Sequence, residues 1–271
     1  MKLKIISFSL LLVGVFLSCK KQDEASIAVN TKTQMLSQVK IDNQPSIAYS
    51  YNTSSLISEE KGRYDFSSYH YNANNQLVTT DYYTNNNILS SDLQVYTTAI
   101  NQQGWFTPDI TNKGGTISYE YNDKAQLIKS TYTPVTGSSQ YSEFSYGTND
   151  KISRQLLYWD NKETGYIDYS YDAGGNLTQE DLYYLSSTGV AELSTTMQYA
   201  FDTQQNPYKS VSRLMTPGIN TNPNNIIKET YTIHLKADQG GDKVEITETT
   251  YKYNGTGFPI SKNGNTEYIY G

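Results

Sequence analysis

The chain is poor in the residues that carry most enzyme chemistry. Among its 271 residues there is one cysteine, Cys19, and there are two histidines, His70 and His234. A single cysteine excludes an intramolecular disulfide, and neither histidine has a partner at a spacing typical of zinc sites. The sequence also lacks a Gly-x-Ser-x-Gly elbow, a Walker loop and a dinucleotide fingerprint. We therefore assign no cofactor, metal site or catalytic residue, and we expect both histidines to be exposed on strands.

Positive charge and long hydrophobic runs are also scarce. The 21 Lys and Arg residues are outnumbered by 27 Asp and Glu, for a formal net charge of -6. An acidic surface repels phosphates, so we predict no nucleic-acid partner. Residues 5–17 form an almost wholly apolar run of about 13 residues, which suits a signal sequence and is too short to cross a membrane as a helix.

This leader carries a recognisable processing motif. Lys2 and Lys4 precede the apolar run, which ends at Leu17-Ser18-Cys19. The motif resembles a bacterial lipobox, with Phe16 where leucine is usual. The resemblance implies that residues 1–18 are a lipoprotein signal peptide and that Cys19 becomes the lipid anchor. The membrane is then a partner through the anchor, and the expected location is the outer membrane of a Gram-negative bacterium, on its periplasmic or its surface side.

Tyrosine is abundant, with 26 residues, and it follows a repeated pattern. In Tyr169-Ser170-Tyr171 the two rings are two residues apart, which places them on one face of a strand. Asp172, Gly174, Gly175 and Asn176 then supply the residues of a tight turn, and Leu177 starts a return strand. The unit therefore predicts a β-hairpin with an aromatic inner face.

Variants of this hairpin recur along the chain, with second aromatics at positions 51, 71, 121, 146, 171, 201 and 253. The period is about 25 residues, and degenerate copies at Tyr96 and Tyr231 fill the long gaps, which predicts about sixteen antiparallel strands. After position 201 the turn contains Asn206-Pro207, and we expect the return strand to start at Tyr208. Tyr268-Ile269-Tyr270 is interpreted as a first strand without a return partner, a natural end cap.

The fold prediction is all-β. Residues 19–44 are polar and are expected to be a flexible tether with at most one strand near its end, and residues 45–271 form the β domain. We predict a long antiparallel meander of hairpins in a single sheet, curled into an open or closed barrel so that its aromatic face is sheltered. Two sheets packed as a β-sandwich are the alternative.

The hairpins resemble the YD repeats of RHS-type proteins. Tyr171-Asp172-Ala173-Gly174-Gly175-Asn176-Leu177 fits that pattern at every position, while the other copies mostly lose the glycine. Together with the lipobox, the chain resembles uncharacterised Gram-negative lipoproteins that carry a porin-like domain of unknown function. The resemblance implies a meandering antiparallel sheet and no established biochemical activity.

The leading functional hypothesis is a non-enzymatic scaffold that binds an extracellular glycan or protein, or is purely structural. Trp105 and Trp159 are the candidate residues for stacking on a ligand, although packing at the sheet rim is the simpler role for both. Asp238 and Asp242 flank two glycines, for which a plain turn is favoured over a weak calcium site. Two alternatives stay open: a carbohydrate-active enzyme with a carboxylate pair, and an outer-membrane pore.

Overall fold

The computed structural model describes residues 34–84, 105–211 and 216–271. The described chain is all-β apart from four short 3-10 helices at Ile110–Asn112, Pro207–Ser210, Ile219–Thr221 and Ala237–Gln239. The strands, in chain order, are β1 Leu36–Ile41, β2 Gln44–Tyr51, β3 Ile57–Lys61, β4 Asp65–Tyr71, β5 Leu77–Thr84, β6 Lys113–Tyr121, β7 Leu127–Pro134, β8 Gln140–Tyr146, β9 Ile152–Trp159, β10 Lys162–Tyr171, β11 Leu177–Leu185, β12 Ala191–Gln205, β13 Asn224–Ile233, β14 Lys243–Glu248, β15 Tyr251–Tyr253, β16 Pro259–Lys262 and β17 Thr266–Tyr270.

All 17 strands belong to one antiparallel sheet, which confirms the predicted meander and leaves no second sheet for a sandwich among the described residues. The sheet curls until β1 pairs with both β2 and β17. The ladders form a single path that ends at β14, which pairs with β13, and at β15, which pairs with β16. No ladder joins β14 to β15, so the hydrogen-bonded sheet does not close into a barrel.

The hairpin turns share one geometry, and Asn122 illustrates it. Its Oδ1 accepts hydrogen bonds from the backbone N–H of Lys124 and of Gln126, both at 3.0 Å, and its carbonyl accepts one from Ala125 at 2.9 Å. The residue four positions after the second aromatic has a positive φ in six hairpins; these residues are Ser55, Asn75, Ala125, Asp150, Gly175 and Gly257. The left-handed conformation is therefore kept even where the glycine is lost.

The second tyrosine of a hairpin also ties neighbouring hairpins together. Its hydroxyl donates to the carbonyl of the first residue of the preceding return strand, at 2.8 Å from Tyr121 to Leu77 and at 2.9 Å from Tyr171 to Ile152. Tyr71 to Ile57, Tyr146 to Leu127 and Tyr270 to Pro259 are equivalent bonds. Phe201 has no hydroxyl, so the series is interrupted there.

The inner face of the sheet is the aromatic face, as the period-two pattern predicts. Leu127, Ile152 and Leu177, each the first residue of a return strand, are buried there with Phe144 and Tyr169. A second core cluster contains Leu36, Val39, Ile57, Leu77 and Val211. Polar groups on this face find partners: the hydroxyl of Tyr169 donates to Gln155 at 2.7 Å, and that of Tyr199 donates to Glu180 at 2.7 Å.

The sheet begins at Leu36 in β1, which lies near the end of residues 19–44, where the sequence analysis allowed one strand. Two details differ from the sequence prediction. Because β1 covers the edge of β17, β17 is paired on both sides and is not a cap without a partner. Tyr208 lies in a 3-10 helix, since Pro207 cannot donate to a ladder, and the return strand starts at Asn224. The predicted copy at Tyr96 lies outside the described residues.

Candidate functional site

The strongest candidate site lies beside the insertion between β12 and β13, which replaces a tight hairpin turn. Asn206 closes the neck of this insertion: its Oδ1 accepts from the backbone N–H of Tyr208 at 2.9 Å, and its Nδ2 donates to the carbonyl of Asn222 at 2.9 Å. The backbone N–H of Asn206 donates to Pro223 at 3.1 Å. Asn206 and Asn222 are both buried, so the neck is held by polar contacts shielded from water.

The insertion is docked against the inner face of the sheet. Val211 is 1% exposed and belongs to the core cluster with Leu36. The hydroxyl of Ser210 accepts from the backbone N–H of Leu36 at 3.1 Å and lies 3.0 Å from the hydroxyl of Tyr51. Asn222 accepts from the backbone N–H of Leu177 at 2.7 Å. These contacts fix the insertion to β1, β2 and β11.

A cavity of about 420 Å³ lies between the insertion and the sheet. Its walls include Tyr208 from the insertion, Tyr251 from β15 and Tyr268 from β17. The rings of Tyr208 and Tyr268 meet edge to face, with centroids 6.0 Å apart at 88°. Burial raises the pKa of all three tyrosines, so their hydroxyls are neutral at physiological pH and can both donate and accept hydrogen bonds.

Asn225 lines the cavity, and its side-chain oxygen is buried away from solvent. Its Nδ2 donates to the carboxylate of Asp202 at 3.1 Å, and its backbone N–H donates to the same group at 3.1 Å. Asp202 also accepts from the hydroxyl of Tyr253. The Oδ1 of Asn225 is buried and has no hydrogen-bond partner among the described residues. Such an acceptor costs about 1–3 kcal/mol, which the hydrogen bonds from Asn225 to the Asp202 carboxylate help to offset.

Lys262 is the one cation among the described residues that line this cavity. It lies opposite Tyr251 in the β15–β16 ladder and forms no ion pair with any residue in the described ranges. None of the described residues in the cavity wall is acidic. The cavity therefore combines aromatic rings, neutral hydroxyls and one positive charge, a set suited to a polar ligand with hydroxyl groups.

A smaller cavity of about 180 Å³ lies against the same insertion. Pro217 and Thr221 line both cavities. The smaller one is also lined by Lys151 and Tyr171, and the ammonium of Lys151 is 5.1 Å from the centre of the Tyr171 ring. The sequence analysis missed both cavities, although one signal was present: Asn206-Pro207 stands where the other hairpins continue into a return strand.

The two tryptophans lie elsewhere. Trp105 is 36% exposed in the segment before β6, and Trp159 is 53% exposed at the end of β9. Neither lines the larger or the smaller cavity. Their role in stacking on a ligand stays a prediction. The predicted lipid anchor, Cys19, lies outside the described residues.

The predicted turn residues Asp172, Gly174, Gly175 and Asn176 form the turn between β10 and β11. Asp172 accepts from the backbone N–H of Asn176 at 2.9 Å, and Gly175 has φ +88°. Burial raises the pKa of Asp172, but hydrogen bonds from Asn176 and the backbone lower it by more. The side chain of Asn176 also exchanges hydrogen bonds with Asn224, both at 3.1 Å, so this turn supports the exit of the insertion.

The histidines differ in environment. His70 is largely exposed, 3.6 Å from the carboxylate of Asp81. His234 is more enclosed, with Nδ1 3.0 Å from Asp242 and Nε2 2.9 Å from the hydroxyl of Thr196. Asp242 thus has a partner within its own turn. No group of three or more metal-binding side chains occurs in the part of the chain that the structure describes.

Comparisons with known proteins identify the fold but no family. No protein-family model matches the chain, and no curated protein matches it in sequence. A porin-like protein from Bacteroides vulgatus is similar in structure, with a TM-score of 0.51 and 7% identity over 88% of this chain and 99% of that chain. A porin-like protein from Bacteroides uniformis matches 87% of this chain and 98% of its own length, with 14% identity and a TM-score of 0.41.

A DUF3836 family protein from Parabacteroides distasonis matches 41% of this chain and 92% of its own length, with 12% identity and a TM-score of 0.29. Within the described ranges, no helix has the length and apolar content needed to span a membrane. The match to the Bacteroides vulgatus protein covers most of both chains, and at this identity it shows a shared fold alone. The chain has a porin-like, all-β fold.

Proposed function

We propose that this protein is a non-enzymatic cell-envelope lipoprotein, anchored to the outer membrane through Cys19, whose sheet is a scaffold that binds a saccharide in the larger cavity. The observation that carries the proposal is the lining of that cavity. Tyr208, Tyr251 and Tyr268 offer ring surfaces and neutral hydroxyls, with Lys262 as the one cation among the described lining residues. Sugars present both apolar ring faces and many hydroxyl donors, and this wall complements both.

The size and charge of the cavity favour binding of a saccharide over binding of a protein and over hydrolysis of a carbohydrate. A volume of about 420 Å³ lies in the range of small-molecule sites and is small for a protein segment. A glycosidase needs two facing carboxylates. No acidic residue is among the described residues that line the larger cavity, and Asp150 is the only one that lines the smaller. Binding without hydrolysis is therefore the better-supported activity.

The hairpins also support a relationship between this chain and YD-repeat proteins. We propose that they are of the YD-repeat type, because the positive φ that glycine supplies in the YD pattern recurs at the same position in six turns. Asn and Asp adopt this conformation more readily than other residues, which accounts for the loss of glycine at Asn75 and Asp150. The repeat then serves to build a broad inner surface on which the insertion is mounted.

Two experiments test this proposal. The first is a glycan array probed with the full-length chain in detergent, followed by titration calorimetry on each hit with Tyr251→Ala and with Trp159→Ala. We expect Tyr251→Ala to lose about tenfold or more in affinity and Trp159→Ala to bind like the wild type. A thermal melt of each variant separates lost binding from lost folding. Absence of any saccharide ligand, or binding that depends on Trp159 and not on Tyr251, would refute the assigned site.

The second experiment concerns the anchor. Cys19→Ala expressed in a Bacteroides host is expected to leave the membrane fraction and appear as soluble protein. The reason is that we propose no attachment to the membrane through the described sheet. Ser18→Ala, which keeps a small residue before the cysteine, is the matched control and should stay in the membrane. A Cys19→Ala variant that still requires detergent for extraction would contradict a lipid anchor and favour the pore hypothesis.

A further inference from the structure

The two cavities beside the insertion share a feature that the proposed function does not use: each contains one lysine. Lys262 lines the larger cavity and Lys151 the smaller, and Pro217 and Thr221 separate them while contributing to both walls. A partly buried ammonium without a counter-charge is unfavourable, because desolvation is not repaid by an ion pair. Two such lysines in adjacent cavities therefore need an explanation.

Lys262 lacks a counter-ion in a protein that has an excess of acidic groups. The chain carries 27 Asp and Glu against 21 Lys and Arg, yet no carboxylate of a described residue lies within ion-pair distance of Lys262. Lys40, Lys61, Lys113 and Lys236 have such a partner, and Lys162 and Lys252 lack one within the described ranges but are exposed to water. Lys262 is half-buried in the cavity wall, so its charge is screened less than that of a fully exposed lysine.

Lys151 is positioned by its neighbours. Its ammonium lies over the face of Tyr171, and a Cβ on Gly175 would lie 3.0 Å from its Cε. The glycine thus leaves room for the lysine stem in addition to adopting its positive φ. Asp150, which precedes Lys151 in the turn between β8 and β9 and also lines the smaller cavity, accepts a hydrogen bond from the side chain of Gln126 at 3.3 Å. Among the described residues, Lys151 contacts a ring face and no carboxylate, which leaves its charge available.

We propose that the ligand is an acidic oligosaccharide, with one uronate carboxylate bound by Lys262 in the larger cavity and a second by Lys151 in the smaller. The proposal rests on the saccharide-binding function above. The rings of Tyr251 and Tyr268 contact one sugar, the ring of Tyr171 contacts the other, and the chain between them passes Pro217 and Thr221. The ligand supplies the counter-charges that the protein lacks.

The test compares each uronate oligosaccharide with its carboxyl-reduced form, in which every carboxylate has become a primary alcohol. Titration calorimetry with the full-length chain in detergent is expected to show about tenfold or more tighter binding of the acidic form. That preference should disappear in Lys262→Met and weaken in Lys151→Met. Lys162→Met, on the exposed start of β10, is the matched control and should keep the wild-type preference. Raising the salt concentration should weaken only the acidic form.

The outcomes separate the two proposals. Equal affinity for the acidic and the reduced forms, or a preference that survives in Lys262→Met, would refute the acidic ligand while leaving saccharide binding intact. Failure of both forms, and of neutral saccharides, would refute both. Dependence on Lys262 with no effect of Lys151→Met would overturn the second subsite. A thermal melt of each variant without ligand identifies any loss of affinity that is caused by misfolding. Lys262→Glu provides a second variant, because reversing the charge should abolish binding of the acidic oligosaccharide.

Discussion

The most direct test of the hairpin geometry is the substitution Ala125→Gly. Ala125 is exposed, it has φ +60°, and its position is filled by Gly175 in the most regular hairpin. An L-residue in the left-handed region costs about 1–2 kcal/mol relative to glycine. Glycine, however, also makes the unfolded chain more flexible, which costs about 0.4–1 kcal/mol. The expected net result is stabilisation by about 0.5–1 kcal/mol.

Ala173→Gly is a matched control. Ala173 is also an exposed alanine in a hairpin turn, between Asp172 and Gly174, but its φ is not positive. The same substitution therefore carries only the unfolded-state cost and should destabilise by about 0.4–1 kcal/mol. When the two results are subtracted, the unfolded-state contribution cancels. The difference between the variants measures the strain at Ala125, about 1–2 kcal/mol.

Urea unfolding at a fixed protein concentration is the appropriate assay, with equal m-values required for the comparison. A change of 1 kcal/mol corresponds to roughly 2–4 °C in the thermal midpoint for a domain of this size, so a thermal melt gives an independent check. If Ala125→Gly destabilises the protein as much as Ala173→Gly, the left-handed conformation at this turn is wrong and the common hairpin geometry fails with it.

Two further predictions concern the inner face. Tyr171→Phe removes the hydroxyl bonded to the Ile152 carbonyl and should lower the free energy of unfolding, measured in urea, by about 0.5–1.5 kcal/mol. Tyr184→Phe is the control, because Tyr184 is 52% exposed. Equal losses of stability in the two variants would contradict a role for the Tyr171 hydrogen bond. Burial raises the pKa of Glu180 while the hydrogen bond from Tyr199 lowers it in part, leaving it above the unfolded value of about 4.3. A carboxylate with a raised pKa destabilises the folded state only while it is ionised, so Glu180→Gln should stabilise the protein at pH 7. This gain in the free energy of unfolding should decrease as the pH falls through the folded pKa of Glu180 and vanish below about pH 4. A variant that is less stable than the wild type at pH 7 would refute this sign.

The insertion was the part of the fold that the sequence predicted least well. Phe201 and Asp202 continue the repeat, so the pattern alone favours a return strand at Tyr208. Pro207 instead starts a 3-10 helix, and Asp202 accepts hydrogen bonds from Asn225 and Tyr253 rather than from its own turn alone. These partners lie 23 and 51 residues away. A residue's local pattern does not specify partners at such separations.

The candidate site was missed for the same reason. Tyr208, Tyr251 and Tyr268 come from an insertion and two strands that are distant in sequence, and Lys262 faces them only because β16 pairs with β15. The sequence singled out Trp105 and Trp159 because they are rare, large and aromatic. Rarity indicates which residues are chemically distinctive, but it does not indicate which ones meet around a cavity.

The amino-acid sequence by itself determined the local structure of this protein. Tyrosines two residues apart define the buried face of a strand, and an Asn or Asp followed by a residue that tolerates positive φ defines the turn, so each hairpin is encoded by residues close together in the sequence. The tertiary structure alone decided that β1 covers the edge of β17 and that the insertion docks on the inner face to form the cavities. Those contacts depend on which strand edges and apolar surfaces remain unpaired after the hairpins have formed, and on the entropy of closing long loops. A pattern of neighbouring residues contains information on neither.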